Sequence, residues 1–238
     1  MTDQEEKLPI IRLSHVHHVY GNHPALTDLT FEIFKNELVF ICGPSGAGKT
    51  TLLRLLYRGA RASRGEIVVD GIRLEDLPRA RLPLLRRKLG VIFQDYKLIP
   101  GCSVYGNVAL VLEASGHRRS LIPKKVHGVL RLVGMERHAD ALPPILSGGE
   151  QQRVAVARAV VGDPKIILAD EPTGNLDEAS AQAVMDLLRG AFIRGTTVII
   201  ATHDKAFIRR MGGRVLHLQQ GQLAASELVA KHHDRTAL

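Results

Sequence analysis

One glycine-rich stretch constrains this chain more than any other, because it fixes a strand, a tight turn and a helix in succession. Residues 43–50 read G-P-S-G-A-G-K-T, after an apolar run at 38–42 and before a leucine-rich segment at 51–56. The spacing is that of a phosphate-binding loop. Its glycines let several backbone N–H groups point at an anion, and the following helix adds the positive end of its dipole. The stretch therefore predicts a nucleotide-binding site.

The side chains at the end of this loop complete the expected site. Lys49 can reach the β- and γ-phosphates of a nucleotide, and the Thr50 hydroxyl can ligate Mg²⁺. The alternative is a glycine-rich turn that matches by accident, but the flanking strand and helix favour the nucleotide site. The predicted phosphate-binding residues are Gly43, Pro44, Ser45, Gly46, Ala47, Gly48, Lys49, Thr50 and Thr51.

Composition is ordinary for a soluble globular protein, with 45% hydrophobic and 24% charged residues among 238. The longest apolar runs, at 38–42 and 108–112, are too short to cross a bilayer. Residues 1–7 are too polar for a signal peptide, and two cysteines make no disulfide framework. These features predict a cytosolic protein.

The net charge of +8 is compatible with nucleic acid, with an anionic membrane surface or with a solvated basic face. The basic residues are spread along the chain, and aromatic residues, which make up 4%, do not interleave with them. A solvated face close to acidic lipid head groups is favoured. Nucleic acid is the minority interpretation, and no nucleic-acid partner is expected.

Strand and helix patterns alternate along most of the chain and predict a mostly parallel sheet with its ligand at the carboxyl ends of the strands. Between about 95 and 160 the pattern is helical, which indicates an insert within the α/β core. The other predicted elements are short strands within 8–40 joined by a turn at 21–22, a strand with a turn at 66–71, a helix at 81–88, strands at 90–94, 165–170 and 195–201, a helix at 178–189, a hairpin at 215–223 and a polar tail at 224–238.

Three histidines and a tyrosine near the N-terminus need separate interpretations. His15, His17 and His18 have no cysteine or carboxylate at ligand spacing, so they are predicted to be exposed or edge-strand residues rather than metal ligands. Tyr20, upstream of the phosphate-binding loop, is either a packing aromatic or a ring that stacks on adenine.

Two carboxylates stand at the end of the apolar run 166–169, where a strand would deliver them to the same edge as the loop. Asp170 is predicted to complete the Mg²⁺ shell. Glu171 is predicted to polarise the attacking water, since a positioned general base accelerates such a step by roughly 10²–10⁴-fold. The alternative, in which both only cap the next turn, is weaker beside a phosphate-binding loop.

The segment Leu146–Gln151 reads L-S-G-G-E-Q and begins a helix. Locally it is a capping box, in which Ser147 and Glu150 cap each other's backbone. Ser147, Gly148 and Gly149 also form a second anion site, because bare N–H groups and the helix dipole face outward there. Two phosphate-binding helix ends in one chain suggest that two copies pair head to tail, with each nucleotide between them.

Together these motifs resemble the ATP-binding subunit of the ABC family. They occur in the family's order: the phosphate-binding loop, Gln94, the signature at 146–151, Asp170-Glu171, and the short motifs at 174–177 and 202–204. The resemblance covers residues 8–223. It implies an α/β P-loop NTPase core with an N-terminal antiparallel β subdomain and an inserted helical subdomain, which binds ATP and Mg²⁺.

The resemblance also assigns roles beyond those derived from the residues. Gln94 would sense Mg²⁺ and the attacking water and link to the helical insert, and His203 would hold the γ-phosphate. Asp177 would bridge the two subunits, and Tyr20 would stack on adenine. The expected catalytic residues are thus Glu171, His203 and Gln94, and the expected metal-binding residues are Thr50, Gln94 and Asp170.

The stretches 82–100, 103–109 and 169–177 are similar to those of the FtsE family of cell-division ATPases. That resemblance implies a peripheral protein on the cytoplasmic face of the bacterial inner membrane, which pairs with an FtsX-like membrane protein and controls cell-wall hydrolases. The docking groove is expected at 94–108. Lipoprotein-release and macrolide-export ATPases share the motif at 171–177 and are the main alternative, and a soluble nucleic-acid-linked ABC ATPase is a third.

Overall fold

The computed structural model describes residues 8–174 and 176–230, and within them the chain forms ten strands in two sheets. Predictions that concern residues 1–7, Asn175 or residues 231–238 fall outside this range. No helix of the described residues is long and apolar enough to span a bilayer.

The smaller sheet is antiparallel and lies near the start of the chain. Its order is β2-β1-β4-β5, from the strands β1 (Ile11–Tyr20), β2 (His23–Ile33), β4 (Arg64–Val69) and β5 (Ile72–Arg73). The predicted turn at 21–22 joins β1 to β2, and Gly21 takes a positive φ of 58° there. Both strands are longer than the sequence pattern predicted, because β-bulges interrupt the alternation of β1.

The larger sheet has the order β10-β9-β3-β8-β7-β6. All its neighbours pair in parallel except β9 and β10, which form a hairpin. Its strands are β3 (Leu38–Cys42), β6 (Leu89–Ile92), β7 (Ile166–Asp170), β8 (Thr197–Ala201), β9 (Gly213–Gln219) and β10 (Gln222–Val229). Every residue of β3, β7 and β8 is buried, as expected for parallel strands covered on both faces.

Two apolar cores lie on opposite faces of this sheet, and β3 contributes to both by alternation. Phe40 packs with the helices of the insert, whereas Val39 and Ile41 pack with α1 and the antiparallel sheet. The helices are α1 (Lys49–Leu56), α2 (Leu82–Arg86), α3 (Val104–Ala114), α4 (Ile122–Leu132), α5 (Gly148–Val160), α6 (Glu178–Ile193) and α7 (Lys205–Met211). Segment 95–160 contains only helices and turns, and the predicted fold class is confirmed.

Two elements differ from the prediction at the end of the chain. Strand β10 continues to Val229, past the expected end of the folded unit at 223, because it pairs with β9 along its whole length. Helix α7 was missing from the prediction. Asp204 caps it by accepting hydrogen bonds from the backbone N–H groups of Ala206 and Phe207.

The prediction that the three histidines are exposed or lie on an edge strand is right for His15, whose side chain is 79% exposed, and wrong for His18. Strand β1 lies inside its sheet rather than at an edge, and His18 is buried. A carboxylate also lies beside the first histidine, since His15 Nδ1 is 2.7 Å from Asp28 Oδ1. The sequence could not show this pairing, because it depends on the register between β1 and β2.

Candidate nucleotide site

A cleft of about 770 Å³ opens beside the first turn of α1, between the loops that follow β3, β6, β7 and β8. These loops meet because the carboxyl ends of parallel strands share one edge of the sheet. The cleft brings most of the predicted site residues together. Its lining residues are Tyr20, Ala25, Pro44, Ser45, Gly46, Ala47, Gly48, Lys49, Thr50, Thr51, Gln94, Glu171, Gly174 and His203.

The phosphate-binding loop follows a backbone path that only glycine permits at two positions. Gly43 has φ 153°, and a Cβ there would lie 2.2 Å from the carbonyl oxygen of Leu218. Gly48 has φ 101°, and its Cβ would lie 2.7 Å from the carbonyl oxygen of Ala25. The Lys49 ammonium folds over the loop and donates to the carbonyl oxygens of Gly43 at 2.8 Å and Pro44 at 3.1 Å.

Asp170 ends β7 and is buried beside Thr50. Burial raises the pKa of Asp170, and the nearby carboxylate of Glu171 raises it further, while the Thr50 hydroxyl and Lys49 act in the opposite direction. A buried carboxylate next to a second one is a place where a cation lowers the free energy. The donor set of Asp170 and Thr50 oxygens therefore fits Mg²⁺.

Glu171 is the next residue, and its own chain holds both of its carboxylate oxygens. The Thr202 hydroxyl donates to Oε2 at 3.2 Å, and His203 Nδ1 lies 2.8 Å from Oε1. The backbone of Glu171 has φ 45°, an uncommon conformation for a residue with a side chain, and its N–H donates to the carbonyl of Ala201. The carboxylate is thus fixed at the wall of the cleft.

Gln94 follows β6 and faces both the cleft and a second cavity of about 380 Å³. This second cavity, named here the α1–β6 cavity, lies between α1 and the loop after β6. Thr50 and Asp170 line this cavity together with Arg54, Tyr57 and Lys97. Gln94 and Thr50 therefore line both the nucleotide cleft and the α1–β6 cavity.

Tyr20 ends β1 at the rim of the cleft, and 43% of its surface is exposed. Its ring meets His18 edge-on at 4.6 Å between centroids, and the Arg54 guanidinium carbon lies 5.9 Å from the ring centroid. Its place at the rim is compatible with the predicted stacking on adenine.

The second predicted anion site lies outside this cleft. Ser147 caps α5 and forms the complete capping box: its Oγ accepts the N–H of Glu150, and Glu150 Oε2 accepts the N–H of Ser147 at 2.8 Å. The N–H and the hydroxyl of Ser147 both donate to the Glu150 carboxylate and lower the pKa of Glu150. Asp177 caps α6 by binding Ser180, whose two hydrogen bonds lower the pKa of Asp177. Neither the signature nor Asp177 lines the cleft of its own chain.

Sequence reasoning assigned no role in the site to Thr202, Ala25 or Gly174, although Thr202 and Gly174 lie within the motifs at 202–204 and 174–177. Thr202 is fully buried and orients Glu171, but a threonine at the end of a strand gives no signal of such a role. Ala25 and Gly174 line the cleft because β2 and the turn after Glu171 fold against the loop. These contacts are set by tertiary structure and leave no local pattern.

The sequence and the structure of this chain are similar to those of known ATP-binding proteins, in agreement with the geometry of the site. The family model described as ABC transporter matches residues 26–174, which is more than half of the chain. A cell division ATP-binding protein FtsE of Streptococcus pneumoniae is 41% identical over 221 residues, covering 92% of this chain and 96% of the relative. The FtsE protein of Mycobacterium tuberculosis is 44% identical over 220 residues, with coverage of 92% and 96%.

A solved structure resembles the whole chain. It is a dimeric ATP-binding cassette in a post-hydrolysis state with bound ADP and Pi, and it superposes with a TM-score of 0.87 at 34% identity. The match covers 93% of this chain and 100% of the cassette.

Proposed function

The chain belongs to the ABC transporter family, and we propose on this basis that it is the ATPase subunit of an FtsE-like membrane complex that acts in cell division. The single observation that carries the cell-division role is the identity of 41% to 44% with FtsE proteins over more than nine-tenths of both chains. The chain is an ATP-binding cassette that hydrolyses ATP. Its site residues have the following parts in the proposal.

The P-loop holds the triphosphate, and Glu171 activates the attacking water. Backbone N–H groups and Lys49 bind the β- and γ-phosphate oxygens, which fixes the terminal phosphate against the wall formed by Glu171. Thr202 and His203 keep the Glu171 carboxylate in one orientation, so little entropy is lost when a water molecule binds it. His203 also lies within the cleft, where its free nitrogen can contact the γ-phosphate.

Thr50, Asp170 and Gln94 would hold Mg²⁺, since all three line the α1–β6 cavity. When bound, the ion would neutralise charge on the phosphate oxygens. The buried Asp170, whose pKa is raised in part by its neighbour Glu171, supports this assignment.

The signature Ser147, Gly148 and Gly149 would complete the ATP site of a second copy. This part of the proposal is supported by the position of the signature outside its own cleft and by the dimeric state of the similar cassette. Asp177, exposed at the N-terminus of α6, would lie at the same interface.

The membrane partner would be FtsX-like and would dock at 94–108, beside the α1–β6 cavity. Exposed Ile99 offers an apolar contact there, and Asn107 stiffens the loop by bonding the backbone of Ile99, Cys102 and Ser103. Docking would place the chain on the cytoplasmic face of the membrane. Closure on two ATP molecules would then move the partner, and hydrolysis through Glu171 would release it.

Affinity capture from the protein's own cell membranes in mild detergent tests this role. We expect a small polytopic protein with an extracytoplasmic loop, together with division proteins or wall hydrolases. Ile99→Glu should abolish its capture, because the new charge would enter an apolar contact. Leu132→Glu is the matched control: Leu132 is also an exposed apolar residue, but it lies on α4, outside the docking segment.

Two results would contradict the cell-division role. Capture of a large permease or a lipoprotein carrier would make the chain a transport motor with the same ATP site. Capture of nucleic acid without any membrane protein would leave only the ATPase chemistry. Equal capture by both charge variants would move the docking surface away from 94–108.

A further inference from the structure

The short loop after Gln94 has a backbone conformation that needs support from elsewhere in the chain. Tyr96 has φ 60° and Lys97 has φ 50°, so two consecutive residues with side chains occupy the left-handed region. Such residues visit this region rarely, and a consecutive pair persists only where surrounding contacts hold it.

Arg158 of α5 supplies that contact. Its Nη1 donates to the carbonyl oxygen of Lys97 at 2.6 Å, and its Nη2 donates to the carbonyl oxygen of Tyr96 at 2.7 Å. The planar guanidinium presents two donors in a fixed geometry to these adjacent carbonyls, whereas a lysine ammonium on its flexible stem would hold them less rigidly. Burial alone lowers the pKa of Arg158 from its ordinary value, and no carboxylate of the described residues compensates its charge.

The same loop touches α5 a second time, at the opposite end of the helix. A Cβ placed on Gly148 would lie 3.1 Å from the Tyr96 hydroxyl, so the Tyr96 side chain packs against the first turn of α5. That turn contains the signature, and Arg158 lies three turns further along the same helix. The loop therefore contacts both ends of α5, the helix whose N-terminal end carries Ser147, Gly148 and Gly149.

Gln94 lies two residues before Tyr96, the first residue held by Arg158, and it faces the nucleotide cleft. A shift of the loop would move Gln94, and the contacts of Arg158 and Tyr96 would transmit the shift to α5. The chain thus has a continuous path of contacts from its own ATP site to the surface it presents to a second copy.

We propose that Arg158 is a positioning residue that sets Gln94 in the ATP site and couples it to the signature at the other end of α5. The proposal rests on the proposed function, since it assigns Gln94 and the signature to ATP sites. It extends that function with a residue that touches neither nucleotide nor metal and acts only through the backbone at 96–97.

The first test compares Arg158→Gln with Arg158→Lys and with Arg131→Gln, a control that removes an exposed arginine charge from α4. We expect Arg158→Gln to lower kcat for ATP by about tenfold to a hundredfold, as a small misplacement of a site residue does, with KM for ATP within about twofold. The Mg²⁺ concentration for half-maximal turnover should rise, because Gln94 is displaced. Arg158→Lys should fall between wild type and Arg158→Gln, and Arg131→Gln should match wild type.

A rescue variant separates positioning from a merely structural role. Glycine adopts a positive φ without steric cost, so Lys97→Gly should restore part of the kcat lost in Arg158→Gln. Loss of packing by Arg158 would not be repaired by a glycine in the loop. The thermal midpoint, measured on every variant, checks that each one is folded at the assay temperature, and the ATP affinity without Mg²⁺ should stay close to wild type.

A second measurement follows ATP-dependent dimerisation in a Glu171→Gln background, where the dimer is not lost through ATP hydrolysis. Adding Arg158→Gln should raise the ATP concentration needed for dimers by about tenfold, as expected for a lost coupling contact. Unchanged kcat, Mg²⁺ dependence and dimerisation in Arg158→Gln would overturn the proposal, and so would failure of Lys97→Gly to restore any activity. A wild type that neither hydrolyses ATP nor dimerises on it would overturn the proposed function together with this inference.

Discussion

At the scale of single residues, the carboxylate of Glu171 is fixed by Thr202 and His203 at opposite oxygens. Its orientation is therefore set by the folded chain and does not have to be set by the substrate. If Glu171 is the general base, as proposed, this fixed orientation would leave less of the alignment to be driven by the substrate's binding energy.

Glu171→Gln should retain ATP binding and lose turnover by about 10²–10⁴-fold, because glutamine keeps the shape but cannot accept a proton. Phosphate release gives the rate, and equilibrium titration with ATP gives the affinity. Turnover within a few-fold of wild type would remove Glu171 from the role of base.

Lys49→Ala should have a different effect, because it should weaken ATP binding itself. The Lys49 ammonium already lies across the loop, where it donates to the carbonyls of Gly43 and Pro44. It is therefore placed to donate to the oxygens of a bound phosphate. Loss of a charge-assisted hydrogen bond costs about 1.5–3 kcal/mol, which is roughly tenfold or more in affinity. Wild-type affinity in this variant would contradict the P-loop interpretation.

These two residues show how far local pattern reaches. Lys49 belongs to a motif with fixed spacing, and Glu171 directly follows an apolar strand, so both could be predicted from the sequence. The contacts of Thr202 with Glu171 and of Arg158 with Lys97 join residues 31 and 61 positions apart, so no local pattern predicts them.

At the scale of elements, a single carboxylate joins the two sheets. Asp70 follows β4 of the antiparallel sheet, and it binds Lys88 before β6 and Lys165 before β7 of the larger sheet, at 2.6 and 2.9 Å. Burial would raise the pKa of Asp70, but hydrogen bonds from Lys88 and Lys165 outweigh it and lower the pKa below its ordinary value of 3.8.

Asp70→Asn should lower the free energy of unfolding at pH 7 by about 1–2 kcal/mol, since one lysine is half exposed and screened. A carboxylate with a lowered folded-state pKa stabilises the fold above its unfolded-state pKa, and that stability is lost as pH falls through the folded-state value. The difference from wild type should therefore vanish in acid. Denaturant titrations across pH measure it.

Asp76→Asn is the matched control for that experiment. Asp76 also pairs with a basic residue, Arg73, but its side chain is exposed, so the free energy of unfolding should change by no more than about 0.5 kcal/mol. An equal loss of stability in both variants, or a loss that persists in acid, would contradict the bridging role of Asp70.

Sequence reasoning predicted the hairpin at 215–223 but missed the continuation of β10 to Val229 and the whole of helix α7, because both carry too few buried apolar residues. Strand β10 is exposed along most of its length, so no apolar alternation marks it, and pairing with β9 and the contact of His217 with Glu227 at 2.7 Å define it. Helix α7 is short, and its buried Phe207, Ile208 and Met211 are too few for a clear period. The longer buried strands were predictable because burial on both faces leaves a continuous apolar run.

At the scale of the whole molecule, the ATP site of one chain is incomplete in the proposed dimer without the signature of the other. Ser147→Arg should abolish dimerisation on ATP in a Glu171→Gln background, because a large cation would occupy the space for the γ-phosphate of the second copy. ATP binding by the single chain should be unchanged. Size-exclusion chromatography with and without ATP checks the first effect, and equilibrium titration checks the second.

Persisting dimers in Ser147→Arg would contradict the head-to-tail arrangement. Arg119→Glu serves as a control for surface charge, since Arg119 is exposed on the turn before α4 and lines neither the nucleotide cleft nor the α1–β6 cavity. It should dimerise as the parent does.

The position of Ser147 outside its own cleft also has a genetic consequence. In the proposed dimer, a damaged signature spoils the ATP site of its neighbour and leaves its own P-loop intact. Two Ser147→Arg chains would have no intact ATP site between them, but a mixed pair of one normal and one Ser147→Arg chain would keep one site and could still form. In a cell that makes equal amounts of both chains, faulty copies would therefore enter mixed pairs with normal chains. Such an allele should behave as a dominant one, and the division defect should appear even while the normal gene is still expressed.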